Sequence, residues 1–277
     1  MAYFLAISSA ALYGAADFLG GLASRRAGTI AVVVWSQASG LVMLVLLLPL
    51  LGSTSPSRSD FIWGAVAGIA GSIGVGLLYR ALAIGTMAVV APTTAVCAVV
   101  IPVLAGVLAG ERLGVFTVTG MLLAIVAIVL VSQEKGHAHV ARKGIGIAFL
   151  SGVAIGFFFL ALARTSPAAG MWPLVASRAL SLVLFGALGL VSAHQLRLPA
   201  PVAKIAIAGG VVDMAANALY LAATRYGALS VVVTLASLYP ASTVLLARVV
   251  LGERLSTLQV AGVGCALAAI VLIVGFE

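Results

Sequence analysis

Charge is what this chain has least of. Only 8% of its 277 residues are charged, and Asp and Glu together number seven. A soluble domain carries about 25% charged residues to keep its exterior solvated. This chain has too few charges to coat a water-facing surface, so its outer solvent is lipid. Histidine is equally scarce, and His137, His139 and His194 all fall in short polar stretches between apolar runs. No two acids lie within four residues of each other. These gaps leave neither an acid cluster for a metal nor an intramembrane nucleophile with a histidine base, which argues against an enzyme. The two cysteines, Cys97 and Cys265, sit singly in apolar stretches without metal-ligand spacing, as small packing residues do. No cofactor and no metal is expected.

Two other absences narrow the field. Gly71-Ser72-Ile73-Gly74-Val75-Gly76 is glycine-rich, yet it follows no strand and lacks a Lys-Ser/Thr ending, so it is no phosphate cradle. Any active transport must therefore draw on a gradient. The N-terminal Met1-Ala2-Tyr3-Phe4 has no basic start, so the first apolar stretch is expected to remain as a membrane helix. The formal charge is +8, but the 15 Lys and Arg are dispersed through loops rather than gathered in a stripe. That pattern orients membrane helices and does not bind nucleic acid.

What the chain has in abundance is apolar sequence: 63% hydrophobic residues and a mean hydropathy of +1.26. Apolar windows separated by polar or Gly/Pro/Ser-rich punctuation predict ten spans. They cover about 2–22, 29–51, 61–83, 87–109, 115–132, 144–163, 170–192, 203–224, 228–250 and 257–275. Runs such as Leu41-Val42-Met43-Leu44-Val45-Leu46-Leu47-Leu48 are apolar on every face, unlike the alternating strands of a membrane barrel. In lipid only a helix satisfies such a backbone within one segment. The fold class is all-α, a polytopic membrane protein.

The sequence also repeats itself at a spacing of 142 residues. Gly110-Glu111-Arg112-Leu113 returns as Gly252-Glu253-Arg254-Leu255, and the same offset pairs Ser9 with Ser151, Gly14 with Gly156, and Gly68 with Gly210. Each half, 1–134 and 144–277, holds five spans, joined by a polar loop over 135–143. An odd number of spans sends the second half into the membrane from the opposite side, the inverted repeat of many secondary transporters.

Here the residues resemble a known family. Pro92-Thr93 and Ile101-Pro102 ahead of Gly110-Glu111-Arg112-Leu113, with Tyr239-Pro240 ahead of Glu253, are similar to EamA repeats. The whole chain resembles a ten-helix carrier of the drug/metabolite transporter superfamily. That resemblance implies secondary transport of small solutes, with amino acids or related metabolites exported and broad drug or cation efflux as the alternative. It also implies a bacterial inner-membrane location. One feature departs from the pattern: the second half has Arg178 in its second helix, whereas the first half has Ser36-Gln37 there.

Polar residues inside the spans mark the candidate site. A charged Asp at the middle of a membrane helix costs about 2.5–3.5 kcal/mol on insertion scales, so Asp17 and Asp213 are expected to face a polar cavity. Asp213, Asn217 and Tyr220 share one helical face, and Ser9, Tyr13 and Asp17 another. Arg178 needs an anionic partner, either Asp213, Asp17 or a substrate carboxylate, for which its planar fork is suited. Gln37, Ser237 and Tyr239 lie mid-span and complete the candidate substrate-binding set. Pro240 removes a backbone donor and is expected to bend the ninth span. Trp35, Phe157, Phe158 and Phe159 are candidate stacking or packing aromatics. Arg80, Arg164, Arg225 and Arg248, near span ends, are expected to snorkel.

The expected partners are a small-molecule substrate and the lipid bilayer. The chain is expected to act as a monomer or a homodimer, the latter through Gly120-xxx-Ala124 and Gly262-xxx-Ala266 if those stripes are not used internally. The loops opposite the termini hold ten Lys and Arg against four on the terminal side. That bias places both termini outside, whereas the resemblance implies cytoplasmic termini.

Overall fold

The structure, a computed structural model, describes residues 1–50, 54–85, 87–131, 138–191, 196–251 and 256–275. Eleven α-helices account for most of them. The first half contributes α1 (Ala2–Ser24), α2 (Thr29–Leu47), α3 (Arg58–Ile84), α4 (Met87–Leu108) and α5 (Val115–Val131). The second contributes α6 (Ala138–Ala163), α7 (Trp172–Val191), α8 (Ala200–Ala223), α9 (Leu229–Ala236), α10 (Tyr239–Leu251) and α11 (Thr257–Gly275). Seven segments are long and apolar enough to cross a bilayer, α9 and α10 counting together as one; α4, α5 and α11 contain shorter apolar stretches. The architecture is an all-helical membrane fold of ten crossings in two inverted five-helix repeats. Helix α6 begins at Ala138, so part of the stretch expected as a polar loop over 135–143 is helical.

The ninth span is two helices rather than one. Pro240 has no N–H to donate back to Ala236, so the helix cannot run through. The chain instead takes a tight turn at Ser237 and Leu238, with Leu238 N–H donating to Leu235 O at 3.2 Å. Proline then sits at the start of α10, where a missing donor is harmless.

The halves interlock. Helix α1 packs most extensively on α8, and α3 on α6, so the first and third helices of each half cross to the other. Two hydrogen bonds display the symmetry directly. Ser9 Oγ donates to Ala216 O at 2.8 Å, and Ser151 Oγ donates to Gly74 O at 2.8 Å. Donor and acceptor alike are related by the 142-residue offset. Backbones must come close for such bonds to form, and glycine permits it. A Cβ on Gly68 would lie 2.7 Å from Ser177 O, and one on its equivalent Gly210 would strike Ser36 O. Gly120 is packed against Ala269, Leu272 and Ile273, so the small stripe of α5 is consumed within the chain by α11.

The symmetry breaks at one end of the bundle. Ser57 and Asp60 form a capping box at the start of α3: Asp60 N–H donates to Ser57 Oγ at 3.3 Å, and Ser57 N–H to Asp60 Oδ2 at 2.8 Å. The same carboxylate reaches across to the other half, accepting from Ser166 N–H at 2.6 Å and Ser166 Oγ at 3.1 Å. Trp172 Nε1 donates to Thr54 Oγ1 at 3.1 Å, and Ser55 N–H to Ala168 O at 2.9 Å, beside it. At the opposite end the equivalent of Asp60 is Val202, and Ser24, the equivalent of Ser166, is buried with its hydroxyl unpaired among the described residues.

Candidate functional site

A narrow cavity of about 50 Å³ lies between the halves. Helices α1, α2, α3, α6, α7, α8 and α10 all contribute to it, so neither half builds it alone. Its polar residues come mostly from sequence-expected positions: Tyr13, Asp17, Gln37, Arg178, Asp213, Asn217 and Tyr239 all line it.

At its centre is an ion pair. The Arg178 guanidinium, on α7, donates one arm to Asp213 Oδ2 on α8 and the other to Gln37 Oε1 on α2. All three side chains are buried. A buried guanidinium requires such partners, because an isolated ion in a medium of low dielectric is prohibitively costly. The departure at Ser36-Gln37 now has a structural meaning, since Gln37 supplies Arg178 with a neutral acceptor where a second arginine would repel it. Asn217, one turn along α8, donates to Asp213 O at 2.7 Å and Oδ2 at 3.2 Å. Tyr13 OH donates in turn to Asn217 Oδ1 at 2.9 Å, so a continuous chain of bonds runs from α1 through α8 to α7 and α2.

Asp17 differs. It is buried on the cavity wall, yet it makes no hydrogen bond or ion pair among the described residues. Ser181 Oγ, also on the wall, is buried and unpaired. Unsatisfied buried polar groups cost free energy, and these two face the same cavity.

Aromatic rings make up much of the remaining wall. Phe158 and Phe159 line the cavity, their centroids 5.6 Å apart, and Tyr13 meets Phe159 at 5.8 Å and Tyr239 at 6.4 Å in edge-on geometry. Tyr239 is held by a 3.3 Å bond from its hydroxyl to Ala91 O.

Four sequence-expected residues lie elsewhere. Tyr220 is wholly buried behind Phe159, its ring 4.5 Å away and its hydroxyl donating to Phe159 O at 3.2 Å; it supports the wall rather than forming it. Ser237 is buried at the α9–α10 turn, off the cavity, with its hydroxyl unpaired among the described residues. Trp35 and Phe157 turn outward, at 37% and 52% exposure. Arg225 does not snorkel: it donates to Pro167 O at 2.6 Å and Gly170 O at 2.7 Å, tying the α8–α9 loop to the α6–α7 loop. Burial lowers its pKa from the usual arginine value, and nearby Asp60 opposes that shift.

Sequence reasoning overlooked two acids. The Ser57-x-x-Asp60 spacing is a helix-start signal, but nothing local reveals that Asp60 also binds Ser166. Glu111 caps α9 from a loop 118 residues away, accepting from Leu229 N–H at 2.7 Å, Ser230 N–H at 3.1 Å and Ser230 Oγ at 2.5 Å. A carboxylate there meets the positive end of the helix. Its repeat counterpart, Glu253, lies outside the described residues.

The model of the EamA-like transporter family matches residues 1–133 and again 142–275, nearly the whole chain. The chain belongs to the EamA-like transporter family. A solved structure titled only as the crystal structure of a protein shares the fold of this carrier, with a TM-score of 0.68 at 20% identity. The match covers 96% of this chain and 98% of that one. No curated protein matches it. Family membership makes the protein a multi-pass membrane transporter of small solutes.

Proposed function

We propose that this EamA-like protein is a secondary carrier that exports amino acids or related metabolites, and that it does so by alternating access through the central cavity. The observation that carries this reading is the pairing of opposite charges on one wall: Arg178 beside Asp213, and Asp17 with no partner. A zwitterion fits that arrangement. Its carboxylate exchanges with Asp213 on the Arg178 fork, while its ammonium group meets Asp17 and the released Asp213. The rings of Tyr13, Phe158, Phe159 and Tyr239 accept an apolar or aromatic side chain, and they favour a cationic group over their faces. The inverted repeats supply two arrangements of nearly equal energy, as alternating access requires. A bacterial inner membrane is the location this reading entails.

The test is counterflow in proteoliposomes with radiolabelled amino acids and cationic dyes in parallel. Saturable exchange of one or more amino acids, lost in Asp213→Asn, supports the reading. The unpaired Asp17 and the aromatic rings around the cavity favour a second one, efflux of organic cations. Exchange of dyes without any amino acid flux would select it.

A further inference from the structure

A second cavity lies on the lipid-facing side of the bundle. It is an open groove of about 560 Å³ between α2 and α8, lined almost wholly by apolar side chains, among them Trp35, Val42, Met43, Leu46, Ile207 and Val211. From Trp35 to Leu46 it follows α2 for about 16 Å, roughly the depth of one leaflet of hydrocarbon. One end of the groove is charged. Trp35 Nε1 donates to Leu196 O at 2.9 Å, which seats the α7–α8 loop on the groove end and sets Arg197 next to it. On α8, Lys204 precedes Ile207 by three positions and Val211 by seven, so it lies on the groove side of that helix, toward the same end. Arg197 and Lys204 are both exposed, and neither forms an ion pair among the described residues. They belong to the cation-rich membrane face that also carries Arg25 and Arg26.

An apolar trough with two unpaired cations at its mouth is complementary to an anionic amphiphile. We propose that the α2–α8 groove binds an anionic phospholipid, with one acyl chain along the trough and the phosphate between Arg197 and Lys204. A membrane surface supplies such lipids, and basic residues near it attract them. Zwitterionic lipid carries the same chains but no net charge, so the two cations discriminate between them. The site has a bearing on the carrier beyond adhesion. Helices α2 and α8 present Gln37 and Asp213 to the central cavity from their other sides, so a chain wedged between them on the lipid side braces the same pair of helices.

Trp35 is a built-in reporter. The full chain carrying Trp63→Phe and Trp172→Phe retains it as the sole tryptophan of three. In vesicles mixing ordinary phosphatidylcholine with brominated-chain phosphatidylglycerol or brominated-chain phosphatidylcholine, quenching of Trp35 gives the relative affinity of each lipid for the groove. The expected result is a preference for phosphatidylglycerol of about fivefold for each cation. Arg197→Gln with Lys204→Gln should bring the two lipids level while leaving quenching by both intact. Equal quenching in the parent protein, a preference that survives the double substitution, or a Trp35 that neither lipid quenches would each overturn the proposal. The readout requires no transported solute, so it stands or falls apart from the function proposed for the central cavity.

Discussion

Asp17 and Asp213 carry the same functional group on the same cavity wall, yet replacing them with Asn should affect stability differently. Asp213 offsets the buried Arg178 guanidinium, and breaking a buried pair by deleting one partner costs about 3–5 kcal/mol. Asp213→Asn is therefore expected to lower the melting temperature in detergent and to reduce transport more than tenfold. Adding Arg178→Gln should recover much of the stability, because no uncompensated charge remains, but none of the transport. Asp17 has no such partner, so Asp17→Asn leaves no buried ion orphaned. Its melting temperature should match or exceed that of the parent while solute flux is lost; a drop as large as that of Asp213→Asn would mean that Asp17 holds the fold together. The intramembrane acids and Arg178 were legible in the sequence, because lipid penalises charge so heavily that each one stands out. Which acid Arg178 would choose was not, since both share the helical spacing of a polar stripe and only the packing of α7 on α2 and α3 settles the distance. Tyr220 shows the same limit. It shares a face with Asp213 and Asn217, but one turn further along α8 that face meets the backbone of Phe159 instead of the cavity.

Helices in this bundle meet through small residues, and the contacts most sensitive to side-chain size are where the halves cross. Gly210→Val forces two methyl groups against Ser36 O. Overpacking of this kind costs about 1–3 kcal/mol, so a lowered melting temperature is expected, whereas Gly28→Ala, with nothing within 4 Å, should leave it unchanged. The Asp60 cluster operates at the same scale. It ties the start of α3 to the α6–α7 loop at one membrane face, whereas Val202 and the unpaired Ser24 form no equivalent carboxylate–serine bond among the described residues at the other. Asp60→Ala is expected to speed reaction of a cysteine at Ala168 with a bulky maleimide, because the loop loses its anchor. An unchanged rate would show that the tie contributes nothing to closing that face. The positions of most helices were readable from hydropathy to within a few residues, and Pro240 signalled a bend in the ninth span, where the structure has a full break between α9 and α10. The ties between loops were not, because Asp60 and Ser166 are 106 residues apart and nothing in either local sequence names the other.

At the scale of the whole molecule, everything depends on the two halves being related by inversion and sharing one cavity. The 142-residue register made the relation visible in sequence, and the matched bonds of Ser9 and Ser151 show it in three dimensions. The most direct measurement places single cysteines at equivalent loop positions, Arg26 and Ala168, after Cys97 and Cys265 have been replaced by Ala. Both sites are exposed. A membrane-impermeant thiol reagent added to sealed, uniformly oriented vesicles should modify only one of the two, with the other reacting once the bilayer is opened. Modification of both from the same side would contradict the inverted arrangement, and with it the shared cavity from which a carrier function has been argued.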